Sequence, residues 1–154
     1  MKPIHLPDHQ RRAFLRRGAL LGLAGSADPN NRRVMPELAS LPPERLALHD
    51  LVQRVAAVRR CVPALRRGDR RALLVGRDQY AFTRDAGDGA PAVVLLSREA
   101  TAASLRLPAG STTVPGWYKD ALTGDRFELG PQGAVIEMEP RSLRVLVPES
   151  SSCD

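Results

Sequence analysis

Two different spacings of apolar residues divide this chain into a helical part and a strand part. After Pro42 and Pro43, apolar side chains recur every three or four positions in one stripe, at Leu48, Leu51, Val52, Val55, Val58 and Val62. This spacing is that of an amphipathic helix, which proline can open at its first turn and which Pro63 ends. A helix of about five turns cannot bury its stripe alone, so we expect it to need a partner surface.

From residue 70 onward, short apolar segments alternate with segments rich in turn-forming residues. Eight segments have the composition of strands: 72–75, 79–83, 92–96, 104–107, 117–118, 126–129, 134–138 and 143–147. Many short strands with frequent turns are typical of antiparallel sandwiches. The predicted fold is therefore mainly β, an antiparallel Greek-key β-sandwich preceded by one amphipathic α-helix and a poorly ordered N-terminal segment. The corresponding boundaries are 1–40 for the N-terminal segment, 41–68 for the helix and 69–149 for the sandwich.

Composition and charge add few limits to this fold. The chain has 154 residues of which 43% are hydrophobic, enough for one modest core. Residues 1–77 carry 16 basic and 6 acidic side chains, whereas residues 78–154 carry 7 and 11. A basic half can indicate nucleic-acid binding. Because its arginines are scattered without interleaved aromatics, we expect a solvated, partly interface-forming surface and no nucleic-acid partner.

Two observations concern the compartment. No apolar window approaches the roughly 18 residues of a transmembrane helix, so no membrane span is predicted. Arg11 and Arg12, followed by the glycine-rich apolar segment 18–27, resemble a twin-arginine export signal. The alternative is a frayed amphipathic start of a cytoplasmic chain, and the sequence leaves both open.

The two cysteines are not spaced as a metal site or redox pair, and we expect Cys61 to pack as a small apolar group at the helix end.

The sequence contains no constellation that predicts catalysis, a metal or a cofactor. No nucleophile elbow, phosphate-binding loop or dinucleotide fingerprint is present. His49 lies beside the apolar stripe and is interpreted as a helix-surface or interface residue. Glycoside hydrolysis needs two carboxylates across a sugar cleft, and the sequence offers two candidate pairs: Glu137 with Glu139, and Asp85 with Asp88. The first pair is typical of a solvent-exposed strand face and the second of a turn, so no catalytic residue is predicted.

Trp117 and Tyr118 are the two aromatic side chains considered for ligand binding. In carbohydrate-binding sandwiches, such rings stack on sugars. With six aromatic residues in the whole chain, both are interpreted first as core or interface residues whose polar tips are hydrogen-bonded. They remain candidates for substrate binding.

Five groups of residues follow one another along the chain between about residues 18 and 148. They are 22–25 with 28–36 (DPNNRRVMP), 58–60 with 63–68 (PALRRG), 80–84 (YAFTR), 117–124 (WYKDALTG) and 140–146 (PRSLRVL). In this order they resemble the C-terminal part of α-amylase-type enzymes, glycoside hydrolase family 13. The resemblance implies the last loop and helix of a (β/α)₈ barrel, followed by the C-terminal β-sandwich domain.

The resemblance also implies what this chain lacks. Family members carry a nucleophilic aspartate, an acid/base glutamate and a transition-state-stabilising aspartate on upstream barrel strands, and the barrel needs roughly 250 residues. The residues before 18 depart from the family pattern, as in a truncated or frameshifted gene or a new start fused to an old tail. We therefore expect an accessory, stabilising fragment of an enzyme acting on α-glucans such as starch or maltodextrin, inactive alone.

The implied partner is the catalytic barrel of a parent enzyme or an α-glucan. In the parent, Asp28, Asn31 and Arg32 border the substrate cleft, so they are candidate substrate-binding residues with Trp117 and Tyr118. The alternative hypothesis is an exported, free-standing carbohydrate-binding β-sandwich.

Overall fold

The computed structural model describes residues 36–151. The chain divides into two compact units, Met1–Val55 and Ala56–Asp154, and the division falls inside the first helix. The predictions made for residues 1–35 lie outside the described residues. They include the export signal at Arg11 and Arg12 and the loop residues Asp28, Asn31 and Arg32.

The helical part consists of a 3₁₀ turn at Leu38–Ser40, a long helix α1 at Pro43–Cys61 and a short helix α2 at Pro63–Arg67. The predicted amphipathic helix is confirmed. The second helix was not predicted, because Pro63 was interpreted only as a stop. Val62 has an extended backbone that ends α1, and Pro63 then supplies the first-turn φ for α2. Within residues 36–151, neither helix is long and apolar enough to cross a bilayer.

One sequence prediction about α1 is wrong. Cys61 was expected to pack as a small apolar group, but this last residue of the helix is exposed. Its sulfur is disulfide-bonded.

All eight predicted strands are present: β1 Asp69–Val75, β2 Gln79–Asp85, β3 Ala92–Ser97, β4 Ala103–Leu107, β5 Gly116–Asp120, β6 Arg126–Leu129, β7 Ala134–Met138 and β8 Leu143–Pro148. They form a six-stranded sheet in the order β1-β2-β3-β8-β5-β6 and a two-stranded sheet of β4 and β7. Every pairing is antiparallel. The predicted antiparallel, mainly β fold with a preceding helix is confirmed.

The path of β5 to β8 is that of a Greek key. β5 and β6 pair as a hairpin, β7 crosses to the other sheet, and β8 returns to pair with β5. The chain changes sheets between β6 and β7, where Gly130 and Gly133 form an isolated bridge. As a result β8 also pairs with β3 and occupies the interior of the large sheet.

The main core lies between the two sheets. Strand alternation sends every second side chain inward; on β7, for example, Ile136 and Met138 are buried while Val135 and Glu137 are exposed. The buried cluster consists of Ala81, Val93, Leu95, Leu105, Leu107, Tyr118, Leu129, Ile136, Met138 and Leu146. These side chains fix the two sheets face to face.

A second core lies on the opposite face of the six-stranded sheet, which we call the helix face. There the end of α1 and α2 pack on the strands, in a buried cluster of Val58, Val62, Ala64, Leu65, Ala92, Val145 and Val147. Because β8 contributes Val145 and Val147 to this cluster and Leu146 to the other, it is buried on both faces. The large sheet is therefore the central layer of the Ala56–Asp154 unit.

Candidate functional site

The turn after β5 is organised by a fully buried carboxylate, Asp120. One carboxylate oxygen, Oδ1, accepts hydrogen bonds from the backbone N–H of Leu122 (3.0 Å) and of Val145 on β8 (3.2 Å). The other, Oδ2, accepts from the Thr123 hydroxyl (3.2 Å) and from Arg144 Nη1 (3.2 Å). Asp120 therefore holds the turn 120–125 against β8, and its lone pairs are used within the fold.

Arg144 is the cation of this buried network, with its side chain only 12% exposed. Its Nη1 also donates to Asp125 Oδ2 (2.8 Å), and its guanidinium carbon lies 5.0 Å from the centre of the Phe127 ring. The hydrogen bond from Arg144, assisted by one from Thr123, lowers the pKa of Asp125 below its usual 3.8. A lowered pKa in the folded state means that this carboxylate stabilises the fold above about pH 4 and loses that contribution as the pH falls through the lowered pKa.

Three of the four carboxylates that are catalytic candidates, Asp85, Asp88 and Glu137, have structural partners, and the fourth, Glu139, is exposed. Asp85 accepts hydrogen bonds from the backbone N–H of Gly87 (2.8 Å) and from the Thr113 hydroxyl (2.7 Å), which lower its pKa. Asp88 accepts from the N–H of Ala90 (3.1 Å), as in an Asx turn. Glu137 lies on the exposed face of β7 and accepts from the Ser104 hydroxyl (2.7 Å) across to β4. These three carboxylates brace turns and a strand pair.

No metal centre is assembled by the described part of the chain. Within residues 36–151, no three histidine, cysteine, aspartate or glutamate side chains group as ligands. His49 is a helix residue whose Nε2 lies 3.2 Å from Gln53 Nε2, one turn along α1.

Tyr118 is fully buried between the sheets. Its hydroxyl donates to the Val114 carbonyl oxygen (2.7 Å) and is hydrogen-bonded to the Thr112 hydroxyl. Burial raises the pKa of the phenol above its usual 10.0, although the bond to Thr112 opposes this shift. The structure thus places Tyr118 in the core with its polar tip satisfied, where neither face of the ring is open to a sugar.

Trp117 projects in the opposite direction, onto the helix face, and is 51% exposed. The guanidinium carbon of Arg126 lies 5.0 Å from the centre of its ring. Arg126 Nη2 in turn donates to Glu149 Oε2 (2.9 Å). We call Trp117, Arg126 and Glu149 the tryptophan platform: an exposed ring beside a guanidinium that a carboxylate holds in place.

Sequence reasoning identified Trp117 and missed its two neighbours. Arg126 and Glu149 come from β6 and from the 3₁₀ turn Glu149–Ser151. Arg126 reaches the ring, and Glu149 reaches Arg126, because both β6 and β8 pair with β5. Strand pairing across such distances leaves no periodic signal in the sequence.

The helix face also carries an apolar region near the free edge of the sheet. Tyr80 pairs with Val75 on one side and with Leu96 on the other, and Phe82 stacks against Tyr80 with ring centres 5.5 Å apart. Val75 is 76% exposed and Leu96 is 36% exposed. We call Val75, Tyr80, Phe82 and Leu96 the apolar edge. Exposed apolar clusters of this kind are typical of protein interaction sites.

Comparison with solved structures finds this fold in two α-amylases and a debranching enzyme. An Anoxybacillus α-amylase matches with a TM-score of 0.72 and 24% identity over 84% of this chain and 27% of the enzyme. The α-amylase of Geobacillus thermoleovorans, complexed with acarbose, gives 0.72 and 20% over 84% and 28%. A Nostoc punctiforme debranching enzyme gives 0.62 and 21% over 85% and 24%.

The part matched in these enzymes is their C-terminal domain. At these identities the likeness shows a shared fold, and it confirms the fold that the sequence resemblance implied. The chain spans only about a quarter of the length of these enzymes. No family model matches the sequence, and no curated protein is similar to it.

Proposed function

We propose that this chain is the C-terminal accessory part of an α-amylase-type glycoside hydrolase acting on α-glucans, and that it is inactive without a catalytic barrel. The observation that carries the proposal is the asymmetry of the structural match: 84% of this chain superimposes, on only 27% of the Anoxybacillus α-amylase. Most of this chain matches one part of a much longer enzyme. Such a match fits a role as one part of an enzyme of that kind. Fold alone does not assign a function, so the chemistry and the surfaces must agree with it.

The chemistry agrees because three of the described carboxylates have structural roles. Retaining and inverting glycosidases need two carboxyl groups facing one cleft, one of them free to transfer a proton. Asp120, Asp125 and Asp85 each accept at least two hydrogen bonds that hold turns or strands together. In the proposal, the catalytic carboxylates belong to the barrel, as the family resemblance implies.

The apolar edge supports a docked barrel as the partner. Its exposed side chains lie on the same face of the sheet as the helix segments that the family resemblance assigns to the end of the barrel. Contacts between domains of one chain bury apolar surface of this kind. We infer that in the complete enzyme the apolar edge contacts the barrel exterior and stabilises it.

A domain exchange tests this proposal. Residues 69–151, the sandwich without the helices, are placed in the Anoxybacillus α-amylase instead of the part that they match, and the chimera is compared with the amylase truncated at the same point. The chimera is expected to melt above the truncated enzyme and to hydrolyse starch, because the barrel regains an apolar partner. A chimera that melts no higher than the truncated enzyme contradicts the proposal, as does starch hydrolysis by the isolated chain.

Two serine substitutions localise the contact. In the chimera, Val75→Ser is expected to cost about 1–2 kcal/mol, the burial of one valine, and to lower the melting temperature by a few degrees. Val135→Ser is the matched control, since Val135 is 50% exposed on the outer face of the other sheet. In the isolated chain both substitutions are expected to be nearly neutral. If both substitutions lowered the melting temperature of the chimera equally, the apolar edge would not be part of the interface.

The second candidate function is carbohydrate binding by the free sandwich, and the exposure of Trp117 is the observation that favours it. An indole ring half open to solvent can stack on a sugar ring, while the guanidinium of Arg126 and the carboxylate of Glu149 offer partners for hydroxyl groups. This function needs no barrel, so it is separable from the first.

Retention on immobilised starch or cyclodextrin distinguishes carbohydrate binding from the accessory role. If the platform binds α-glucan, Trp117→Ala abolishes retention of the isolated chain, because the stacking surface is lost. Trp117→Phe keeps a smaller ring and is expected to bind partially. Absence of retention for the unaltered chain excludes this candidate and leaves the accessory role in place.

A further inference from the structure

Cys61, the last residue of α1, is disulfide-bonded, and the sequence holds a single other cysteine, Cys153. We propose that a Cys61–Cys153 disulfide ties the C-terminal tail to the end of α1, so that the chain matures in an oxidising compartment. This inference goes beyond the accessory role and does not depend on it. Cys153 itself lies outside residues 36–151, and β8 and the turn Glu149–Ser151 lead to it.

The strand before the tail runs beside the end of α1. Val145 and Val147 of β8 belong to the same buried cluster as Val58 and Val62, which lie three residues before and one residue after Cys61. Cys153 lies six positions after Val147, and six extended residue steps span up to about 20 Å. This length allows Cys153 to reach the end of α1.

The start of the tail is held in place by a separate interaction. Glu149, in the 3₁₀ turn Glu149–Ser151, forms an ion pair with Arg126 of β6. This contact fixes the chain four residues before Cys153. The ion pair and the proposed disulfide would then hold the C-terminal segment at two successive points.

The bond has a definite chemical requirement. The thiols of Cys61 and Cys153 lose two protons and two electrons as the S–S bond forms, and a disulfide oxidant accepts them and becomes a dithiol. Such oxidants act in the periplasm and in extracellular space, whereas the cytosol keeps thiols reduced. The cross-link thus favours the export interpretation of Arg11 and Arg12 over the cytoplasmic one.

Alkylation and mass spectrometry test the bond in the full chain, produced in a bacterial periplasm. Without reductant the denatured protein is expected to take up no alkyl group, and proteolysis is expected to release one cross-linked pair of peptides containing both cysteines. After reduction, two alkyl groups are expected. Two alkylated thiols before reduction, or a covalent dimer in place of the internal bond, would overturn the proposal.

Melting temperatures test the structural role. Positions 61 and 153 are 92 residues apart, and closing so long a loop restricts the unfolded chain. Cys61→Ser, Cys153→Ser and the double variant are each expected to melt about 10 °C below the oxidised protein. Reduction of the unaltered protein should give the same decrease, which also covers the case of a variant that fails to fold. A Cys153→Ser protein that melts like the unaltered one overturns the assignment of the partner.

Discussion

Replacing Asp120 with alanine is expected to destabilise the sandwich by about 3–5 kcal/mol, the cost of removing one member of a buried ion pair. The change deletes the acceptor of four hydrogen bonds, from the backbone N–H groups of Leu122 and Val145 and from the side chains of Thr123 and Arg144. It also leaves the Arg144 guanidinium, 12% exposed, with one carboxylate in place of two. Urea unfolding of the full chain measures the loss.

Asp125→Ala is the matched control for this prediction. Asp125 contacts the same Arg144 nitrogen, but its side chain is 55% exposed. Water screens its ion pair and replaces its lost hydrogen bonds, so the expected cost is below about 1 kcal/mol. Equal costs for the two substitutions would mean that burial of Asp120 is not the source of its effect.

The second large effect is expected at Gly133, where the chain crosses from one sheet to the other. Gly133 has φ +91°, and a Cβ added there would lie 2.2 Å from the carbonyl oxygen of Leu107 and 2.8 Å from backbone atoms of Pro108. Because those atoms belong to the backbone, β4 or the crossing must shift. Gly133→Ala is expected to cost about 3–5 kcal/mol, combining conformational strain with overpacking.

Gly110→Ala separates the two contributions. Gly110 has φ +67°, but a Cβ added there meets nothing within 4 Å. Only the left-handed backbone is penalised, so we expect a loss of about 1–2 kcal/mol by the same denaturant measurement. If Gly133→Ala cost no more than Gly110→Ala, the steric contact with β4 would not matter.

The elements of this fold were predictable because their signals are local. The three-to-four spacing through Val58 and Val62 specifies α1, and alternation specifies strands such as β7, whose bounds match the expected segment 134–138. The short helix α2 was not predicted, because Pro63 both follows the end of one helix and begins another. The local spacing of apolar residues predicts a helix or strand well, but it predicts a break between two helices poorly.

The arrangements that give the surfaces their chemistry were not predictable, since they depend on pairing between distant strands. Arg144 meets Asp120 across 24 positions because β8 lies against β5. The same pairing brings Glu149 towards Trp117 and Arg126. Tyr118 and Trp117 are neighbours in sequence, yet one fills the core and the other faces outward, and the sequence alone did not say which. Asp28, Asn31 and Arg32 stay predictions.

The position of β8 has a consequence for how this protein is made. β8 is synthesised after the other seven described strands, yet it lies between β3 and β5 and joins two otherwise separate halves of the large sheet, β1–β3 and β5–β6. It also completes both buried clusters with Leu146 on one side and Val145 and Val147 on the other. During synthesis, the sandwich therefore cannot complete its folding until β8 has left the ribosome. Until then, the nascent chain presents two open sheet edges that need shielding from other chains.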